Sequence, residues 1–218
     1  MKILVFDTET TGLPPRNAWF NEHRLPEWPY IIQLSFTLYD TDECEITYKY
    51  NQVIRLSSDI EISERSIEVH GITREMSNKG KEIIDGLKQF KVCLAAADEV
   101  IAHNLSFDIN MIKAECLRNN FNIKLLDVNE RMLLGDDLDK EYYCTMRETK
   151  NYCNIRAIGA DGEPYIKFPS LKELYTKIFN RDPIVNLHDA YIDSLICLKC
   201  YLSLKHNDDT LDISSNLS

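Results

Sequence analysis

The pattern of hydrophobic and polar residues predicts four strands, three of them near the start of the chain. The opening run KILVF (2–6) is apolar and rich in β-forming residues, and Asp7 ends it, which is typical of a buried strand. Two longer segments follow at 30–39 and 45–56, separated by the turn-like sequence DTDE. Both are long enough to pair as an antiparallel ribbon. A short run at 99–102 predicts the fourth strand.

Helical periodicity dominates the segments after these strands. The pattern is helical from residue 63 to about 97, with a break at 71–73, and it is helical again over 107–119. In the second of these helices the apolar residues that share one face are Ile109, Ile112 and Cys116. Strands first and helices interleaved afterwards, around a mostly central sheet, predict an α/β domain.

The last third of the chain is harder to interpret. Residues 141–164 mix Tyr, Cys, Arg and two glycines without a clean period, so we interpret them as an irregular insertion. Ser170 is the predicted N-cap of a helix, and Glu173 completes a capping box. A final apolar helix is predicted from Asp189 to about residue 205.

Length and composition fit a single domain, expected over residues 1–205, followed by a flexible polar tail over 206–218. Of the 218 residues, 44% are hydrophobic and 28% charged, which excludes wholesale disorder. No apolar run approaches the roughly 20 residues of a transmembrane helix. The apolar run at the N-terminus is too short for the hydrophobic region of a secretory signal peptide. The chain has seven cysteines, an odd number, which favours reduced thiols over a framework of disulfides. We therefore expect a soluble intracellular protein with no membrane partner.

The charge balance restricts how the chain can bind nucleic acid. It has 25 basic and 35 acidic residues, a net charge of −10. This argues against a protein that holds duplex nucleic acid on a broad basic face. It does not exclude an enzyme that acts on nucleic acid through metal ions, because bound cations offset a carboxylate cluster.

Asp7 and Glu9 are the first residues that suggest chemistry. Strand side chains alternate, so two acids two residues apart at the end of a strand share one face. Crowded carboxylates repel unless something positive lies between them, and hard oxygen ligands favour Mg²⁺ or Mn²⁺. The structural alternative is a strand end whose acids face solvent, which is common for so short a motif.

Two later segments place further acids and a histidine at the ends of elements. Asp108 follows the predicted strand at 99–102 and lies at the start of a helix. His188 and Asp193 lie at the start of the last helix, where Asp189 is the natural N-cap. We expect His188 in the loop before this helix, over a site that Asp193 faces.

The three segments together resemble a known family. The sequences FDTETTG, AHNLSFD and HDAYID, in that order, are similar to the three motifs of the DEDDh 3′→5′ exonucleases, which are DnaQ-like members of the ribonuclease H-like superfamily. The resemblance extends from residue 3 to about 204 and includes HGIT at 70–73 and the pattern Pro29-x-Ile31-x-Gln33. It implies a ribonuclease H-like fold with a central mixed sheet flanked by helices. It also implies two divalent cations, Mg²⁺ or Mn²⁺, and release of nucleoside monophosphates from a 3′ end.

The resemblance also implies roles for single residues. The implied metal ligands are Asp7, Glu9, Asp108 and Asp193, with Asp7 bridging the two ions and Asp108 supporting one of them directly or through water. His188 matches the general base, and a histidine can take a proton from water at neutral pH. The implied substrate contacts are Glu9, the Thr10 backbone, Leu13, Phe107 and His188.

Several substrates and partners follow as expectations. Single-stranded or frayed DNA is the favoured substrate, RNA is the second candidate, and a polymerase is a possible partner. A different class of protein, a nucleic-acid-binding or polymerase-associated module without catalysis, is also open. The intact set of acids argues against it, because a binding module needs no clustered carboxylates.

Two segments mix cations with aromatic residues, which is how proteins hold single strands without reading sequence. The first comprises Arg16, Trp19, Phe20, His23, Arg24 and Trp28. The second comprises Tyr142, Tyr143, Arg147, Lys150, Tyr152 and Arg156. The alternative is that these aromatic side chains fix long loops onto the domain.

Two further groups have structural interpretations. His103 is expected to satisfy a buried hydrogen bond rather than to bind metal. The cysteines at 144, 153, 197 and 200 are expected to be buried free thiols rather than a zinc site, since no second tight pair accompanies Cys197 and Cys200.

Overall fold

A five-stranded mixed sheet forms the centre of the computed structural model, which describes residues 1–15, 22–123, 140–185 and 187–216. The strands are β1 (Lys2–Thr10), β2 (Ile31–Asp40), β3 (Glu45–Val53), β4 (Glu99–Ala102) and β5 (Glu141–Cys144). Their order across the sheet is β3-β2-β1-β4-β5. Strand β2 is antiparallel to β1 and β3, whereas β4 is parallel to β1 and β5. This confirms the predicted α/β fold with a mixed sheet.

Eight helices and a small hairpin surround the sheet in the described part of the chain. The helices are α1 (Glu64–His70), α2 (Arg74–Asn78), α3 (Ile83–Ala96), α4 (Leu105–Arg118), α5 (Thr145–Glu148), α6 (Lys150–Cys153), α7 (Leu171–Phe179) and α8 (Ala190–His206). The hairpin pairs β6 (Ile155–Ile158) with β7 (Pro164–Lys167), and short 3₁₀ segments cover Glu22–Glu27 and Ser214–Asn216. No helix in these ranges is long and apolar enough to cross a membrane.

Alternation along β1 divides the core into two layers. Leu4 and Phe6 belong to the layer that contains α3 and α4. Ile3 and Val5 belong to the layer that contains α7 and α8. The next residue on the α8 side is therefore Asp7, which places its carboxylate beneath the start of α8.

The capping predictions are confirmed, and the prediction of an irregular insertion at 141–164 is wrong. The Ser170 hydroxyl oxygen accepts the backbone N–H of Glu173, and the Glu173 carboxylate accepts the backbone N–H of Ser170. Residues 141–164 instead form β5, α5, α6, β6 and the start of β7. These elements have four residues each, too few to produce a recognisable period.

Residues 207–216 make several contacts with the domain; they fall in the segment 206–218, for which the sequence predicts a flexible tail. Leu211 and Ile213 are buried in the same layer as α8. Lys199 is itself buried, and its ammonium donates to the carbonyls of Asp209 and Leu211. Tyr191 donates to the carbonyl of Asn216. The tail is polar overall, but two apolar residues and one buried lysine are enough to dock it.

Arg118 fastens the loop before β2 to α4. Its guanidinium donates to the carbonyls of Leu25, Trp28 and Pro29 and lies 3.7 Å from the centroid of the Tyr30 ring. Trp28 is only 4% exposed. For Trp28 the loop-fixing interpretation therefore holds, whereas Arg16, Trp19 and Phe20 lie outside the described residues.

Candidate active site

Asp7 and Glu9 lie inside β1 rather than after it, because the strand continues to Thr10. Their partners on β2 are Ser35 and Gln33. The register of this pairing shifts between Glu9 and Thr10. Such irregularities commonly turn a strand near an active site. Here the shift follows the second acid directly, so the backbone bends where the expected substrate contacts begin.

Asp193 faces these two acids from the first turn of α8. One carboxylate oxygen from each of Asp7, Glu9 and Asp193 can be chosen so that all three lie within 4.8 Å of one another. Asp193 Oδ1 is buried and accepts no hydrogen bond from the described residues. An unsatisfied buried carboxylate oxygen among two other carboxylates is suited to a cation.

Gln33 holds the N-terminus of α8 against the sheet. Its Oε1 accepts the Ala190 N–H at 3.2 Å, and its Nε2 donates to Asp189 Oδ2 at 2.9 Å and to Asn51 Oδ1 at 3.0 Å. Asp189 is the N-cap, as predicted, and its Oδ1 accepts the N–H groups of Tyr191 and Ile192. One amide thus connects β2, β3 and the helix that carries Asp193.

Asp108 comes from the opposite layer. It is 2% exposed, and its Oδ1 accepts the backbone N–H of Thr8 at 3.1 Å and the Thr8 hydroxyl at 2.8 Å. The pairing of β1 with β4 ends at Val5, so beyond that point the edge of β1 is free to meet α4. Asp108 therefore lies close enough to raise the pKa of Asp7 and Glu9, but it is not within the 4.8 Å group.

His188 lies in the loop before α8, where the sequence predicts it. It adopts a left-handed backbone conformation, with φ of 74°, which is uncommon for a residue other than glycine. Its N–H donates to Asp193 Oδ2 at 3.2 Å. The residue itself is exposed.

Burial and repulsion by neighbouring carboxylates, including Asp189 in the case of Asp193, raise the pKa of all four carboxyl groups. Burial is the largest cause for each of them. The pKa of Asp7 is raised well above its usual value, first by burial and then by Asp108, Asp193 and Glu9. The pKa of Glu9 rises to about 8, and those of Asp108 and Asp193 to about 7. Such a cluster is costly to ionise without a cation, which is consistent with a metal site.

The other residues predicted to contact substrate differ in how exposed they are. Thr10 is buried and its hydroxyl donates to the carbonyl of Gly12. Leu13 follows at 80% exposure, free to meet a substrate. Phe107 is half-buried against the α3–α4 layer, one residue before Asp108.

His70 supports the end of β1 from α1. Its Nδ1 accepts the Ile72 N–H at 3.0 Å, so the proton is on Nε2, which lies 3.3 Å from the carbonyl of Thr10. The motif HGIT singled out His70 in the sequence, but it did not indicate the contact with Thr10. Thr8, the donor to Asp108, was missed, because a threonine between two acids carries no sequence signal of its own.

His103 makes hydrogen bonds and the four cysteines are buried, as their structural interpretations predict. His103 Nδ1 lies 2.9 Å from Thr145 Oγ1 and its Nε2 lies 3.1 Å from the Pro169 carbonyl. Burial lowers the pKa of His103 to about 4. The four cysteines at 144, 153, 197 and 200 are buried free thiols.

Comparison with known proteins gives one family match and several relatives. A family model described as Exonuclease (RNase_T) matches residues 4–201. DNA polymerase III subunit epsilon of Buchnera aphidicola subsp. Baizongia pistaciae (strain Bp) is 23% identical over 224 residues, covering 99% of this chain and 76% of that protein. The subunit of the same name from Haemophilus influenzae is 29% identical over 125 residues, covering 57% of this chain and 45% of that protein.

Two solved structures share the fold. The nuclease domain of 3′hExo, a DEDDh family member bound to rAMP, has a TM-score of 0.65 at 14% identity and covers 97% of this chain and 94% of its own. E. coli exonuclease I in complex with a dA16 oligonucleotide has a TM-score of 0.63 at 15% identity, covering 94% of this chain and 41% of its own.

Proposed function

The chain belongs to the RNase_T exonuclease family and is a 3′→5′ exonuclease of the DEDDh, DnaQ-like type, and we propose that it removes nucleoside monophosphates from single-stranded or frayed DNA. The observation that supports the proposal most strongly is the group formed by Asp7, Glu9 and Asp193. Three carboxylates within 4.8 Å, one with an unsatisfied buried oxygen, suit a site for hard divalent cations.

Asp7, Glu9 and Asp193 would hold one cation, and Asp108 would support a second one from the α4 side, with Asp7 shared between them. When bound, the two cations would neutralise these carboxylates and polarise the phosphodiester that is cleaved. We propose Mg²⁺ or Mn²⁺, because the donor set consists of carboxylate oxygens.

His188 acts as the general base in this proposal. Its backbone N–H donates to Asp193, which ties the loop that carries this exposed residue to the start of α8. The ring accepts the proton of the attacking water and passes it to solvent, which a histidine can do near neutral pH.

The 3′ end is held at the irregular end of β1. Glu9 and the Thr10 backbone meet the terminal hydroxyl, and exposed Leu13 contacts the last base. Phe107 lines the other side, from the first turn of α4.

The preference for DNA, and a polymerase partner, are supported by the names of the relatives, since both are DNA polymerase III epsilon subunits. RNA is the second candidate, and the observation that favours it is the structural likeness to 3′hExo bound to rAMP.

The test follows 5′-labelled DNA and RNA strands of one sequence, with Mg²⁺, with Mn²⁺ and with EDTA. We expect a ladder that shortens from the 3′ end, faster for DNA, and no cleavage in EDTA. A strand that ends in a 3′-phosphate should resist cleavage. Asp7→Asn should abolish cleavage, whereas Asp85→Asn, the same change at an exposed position of α3, should not.

The cation sites and the substrate preference can be contradicted independently of each other. Cleavage at the full rate in EDTA would contradict the cation sites. Faster loss of RNA than of DNA would reverse the substrate preference and leave the chemistry intact.

A further inference from the structure

Two exposed aromatic rings lie beneath lysine side chains between α6 and α7. Lys150 Nζ is 4.8 Å from the centroid of the Phe168 ring, and Lys177 Nζ is 5.9 Å from that of Tyr152. Phe168 is 44% exposed and Tyr152 is 49% exposed. We refer to these four residues as the lysine–aromatic strip. Each ring retains enough free surface for a flat ligand to cover.

The strip lies in a basic part of an acidic protein. Residues 145–181 contain seven Lys and Arg and four Asp and Glu, a net charge of +3 in a chain whose net charge is −10. Lys167 and Lys172 are paired with carboxylates at 2.6 and 2.8 Å. Among the described residues no carboxylate forms a salt bridge with Lys150 or Lys177, so these two charges are available to an anion.

The strip lies on elements that follow the carboxyl end of β5, two strands from the strand that carries Asp7 and Glu9. Strand β5 ends at Cys144 next to the end of β4, and α5 and α6 follow directly. His103 contacts both Thr145 and the Pro169 carbonyl, which fastens the residue after Phe168 to the turn that leads into α4 and Asp108. In this topology the carboxyl ends of β1, β4 and β5 lie along one edge, at neighbouring-strand spacings of about 4.8 Å.

A groove continues from Lys177 along α7. It has a volume of about 590 Å³, and its lining includes Lys177, Lys172 and two carboxylates, those of Glu173 and Asp182. Both carboxylates are paired with lysines, Glu173 with Lys167 and Asp182 with Lys172. The groove and the strip share Lys177.

We propose that the lysine–aromatic strip holds the single-stranded nucleic acid upstream of the 3′ end that lies in the active site. The rings offer stacking surfaces to bases, and the two ammonium groups offer contacts to phosphates. A short strip with two free cations suits one flexible strand rather than a rigid duplex, which needs a broad basic face. The inference rests on the proposed function for its occupant.

The experiment measures binding of a fluorescent DNA strand with a 3′-phosphate, in Mg²⁺, over a range of salt concentrations. Replacing both lysines by glutamine (K150Q with K177Q) should reduce the slope of log K against log salt by about 1.4, since each phosphate contact on a single strand contributes about 0.7. Phe168→Ala should weaken binding about 5- to 150-fold, the range for loss of one stacked base. In the same variant, the ratio of the cleavage rate of long strands to that of short strands should also fall.

Matched controls lie on α3, in the other layer. Lys88→Gln and Val92→Ala replace an exposed lysine and a residue that is 65% exposed, and neither should change the slope or the affinity. Melting temperatures check that all variants fold.

The outcomes separate this inference from the proposed function. If the unaltered protein digests DNA while the strip variants bind as it does, the inference is wrong and the exonuclease proposal stands. If the unaltered protein neither digests nor binds either nucleic acid, the proposed function itself fails.

Discussion

His188 combines a fixed backbone with an exposed ring. The left-handed conformation, φ of 74°, is strained by roughly 1–3 kcal/mol for such a residue, and the hydrogen bond to Asp193 helps to hold it. Asn is among the residues that best tolerate this region of backbone space. Replacement by Asn therefore removes the imidazole while keeping the loop.

We expect His188→Asn to lower the cleavage rate by about 10²–10⁴, the usual contribution of a general base. The measurement is the single-turnover rate with Mg²⁺. His206→Ala, an exposed histidine at the other end of α8, is the control and should cleave normally. A near-normal rate in His188→Asn would move the proton acceptor to another group.

At the scale of elements, one amide ties the N-terminus of α8 to the sheet. Gln33 joins β2 and β3 to the N-cap and first residue of the helix. Asp193 lies one turn further along, and its Oδ2 orients His188. A small displacement of the helix would therefore move an acid and the proposed base together.

We expect Gln33→Leu to lower kcat roughly 10- to 100-fold while KM changes little, because misplacement of about 1 Å has effects of that size. Gln52→Leu, the same change on the neighbouring strand, is the control. A loss of thermal stability with kcat intact would show a purely structural role, and this would contradict the prediction.

At the scale of the whole molecule, the acid cluster connects stability to pH. A carboxyl group whose pKa is higher in the folded state than in the unfolded state binds more protons when folded. Between the two pKa values, the free energy of unfolding therefore falls as the pH rises. For Glu9 this interval extends from its ordinary value of 4.5 to about 8.

In EDTA, the melting temperature should therefore fall between about pH 5 and pH 8, by about 2–4 °C for each kcal/mol. Glu9→Gln should flatten the decline, whereas Glu68→Gln on exposed α1 should not. Mg²⁺ should raise the melting temperature more at pH 8 than at pH 5, because cations and protons compete for the same carboxylates. A melting temperature in EDTA that rises over this range would contradict the assignment.

The sequence by itself determined the features that follow from local periodicity. The alternation of β1 placed Asp7 and Glu9 on one face, and the capping pattern at Ser170 and Asp189 predicted where two helices begin. These features depend on neighbours within a few residues, and the chain carries that information directly.

Only the tertiary structure decided the features that depend on distant partners. Asp108 meets Thr8 across 100 residues, Arg118 meets the carbonyl of Pro29 across 89, and Lys199 meets a tail that looks disordered in the sequence. The four-residue elements between Glu141 and Lys167 also depend on partners that are distant in the sequence. Elements this short gain their stability from pairing and burial rather than from propensity, so no local pattern could have revealed them.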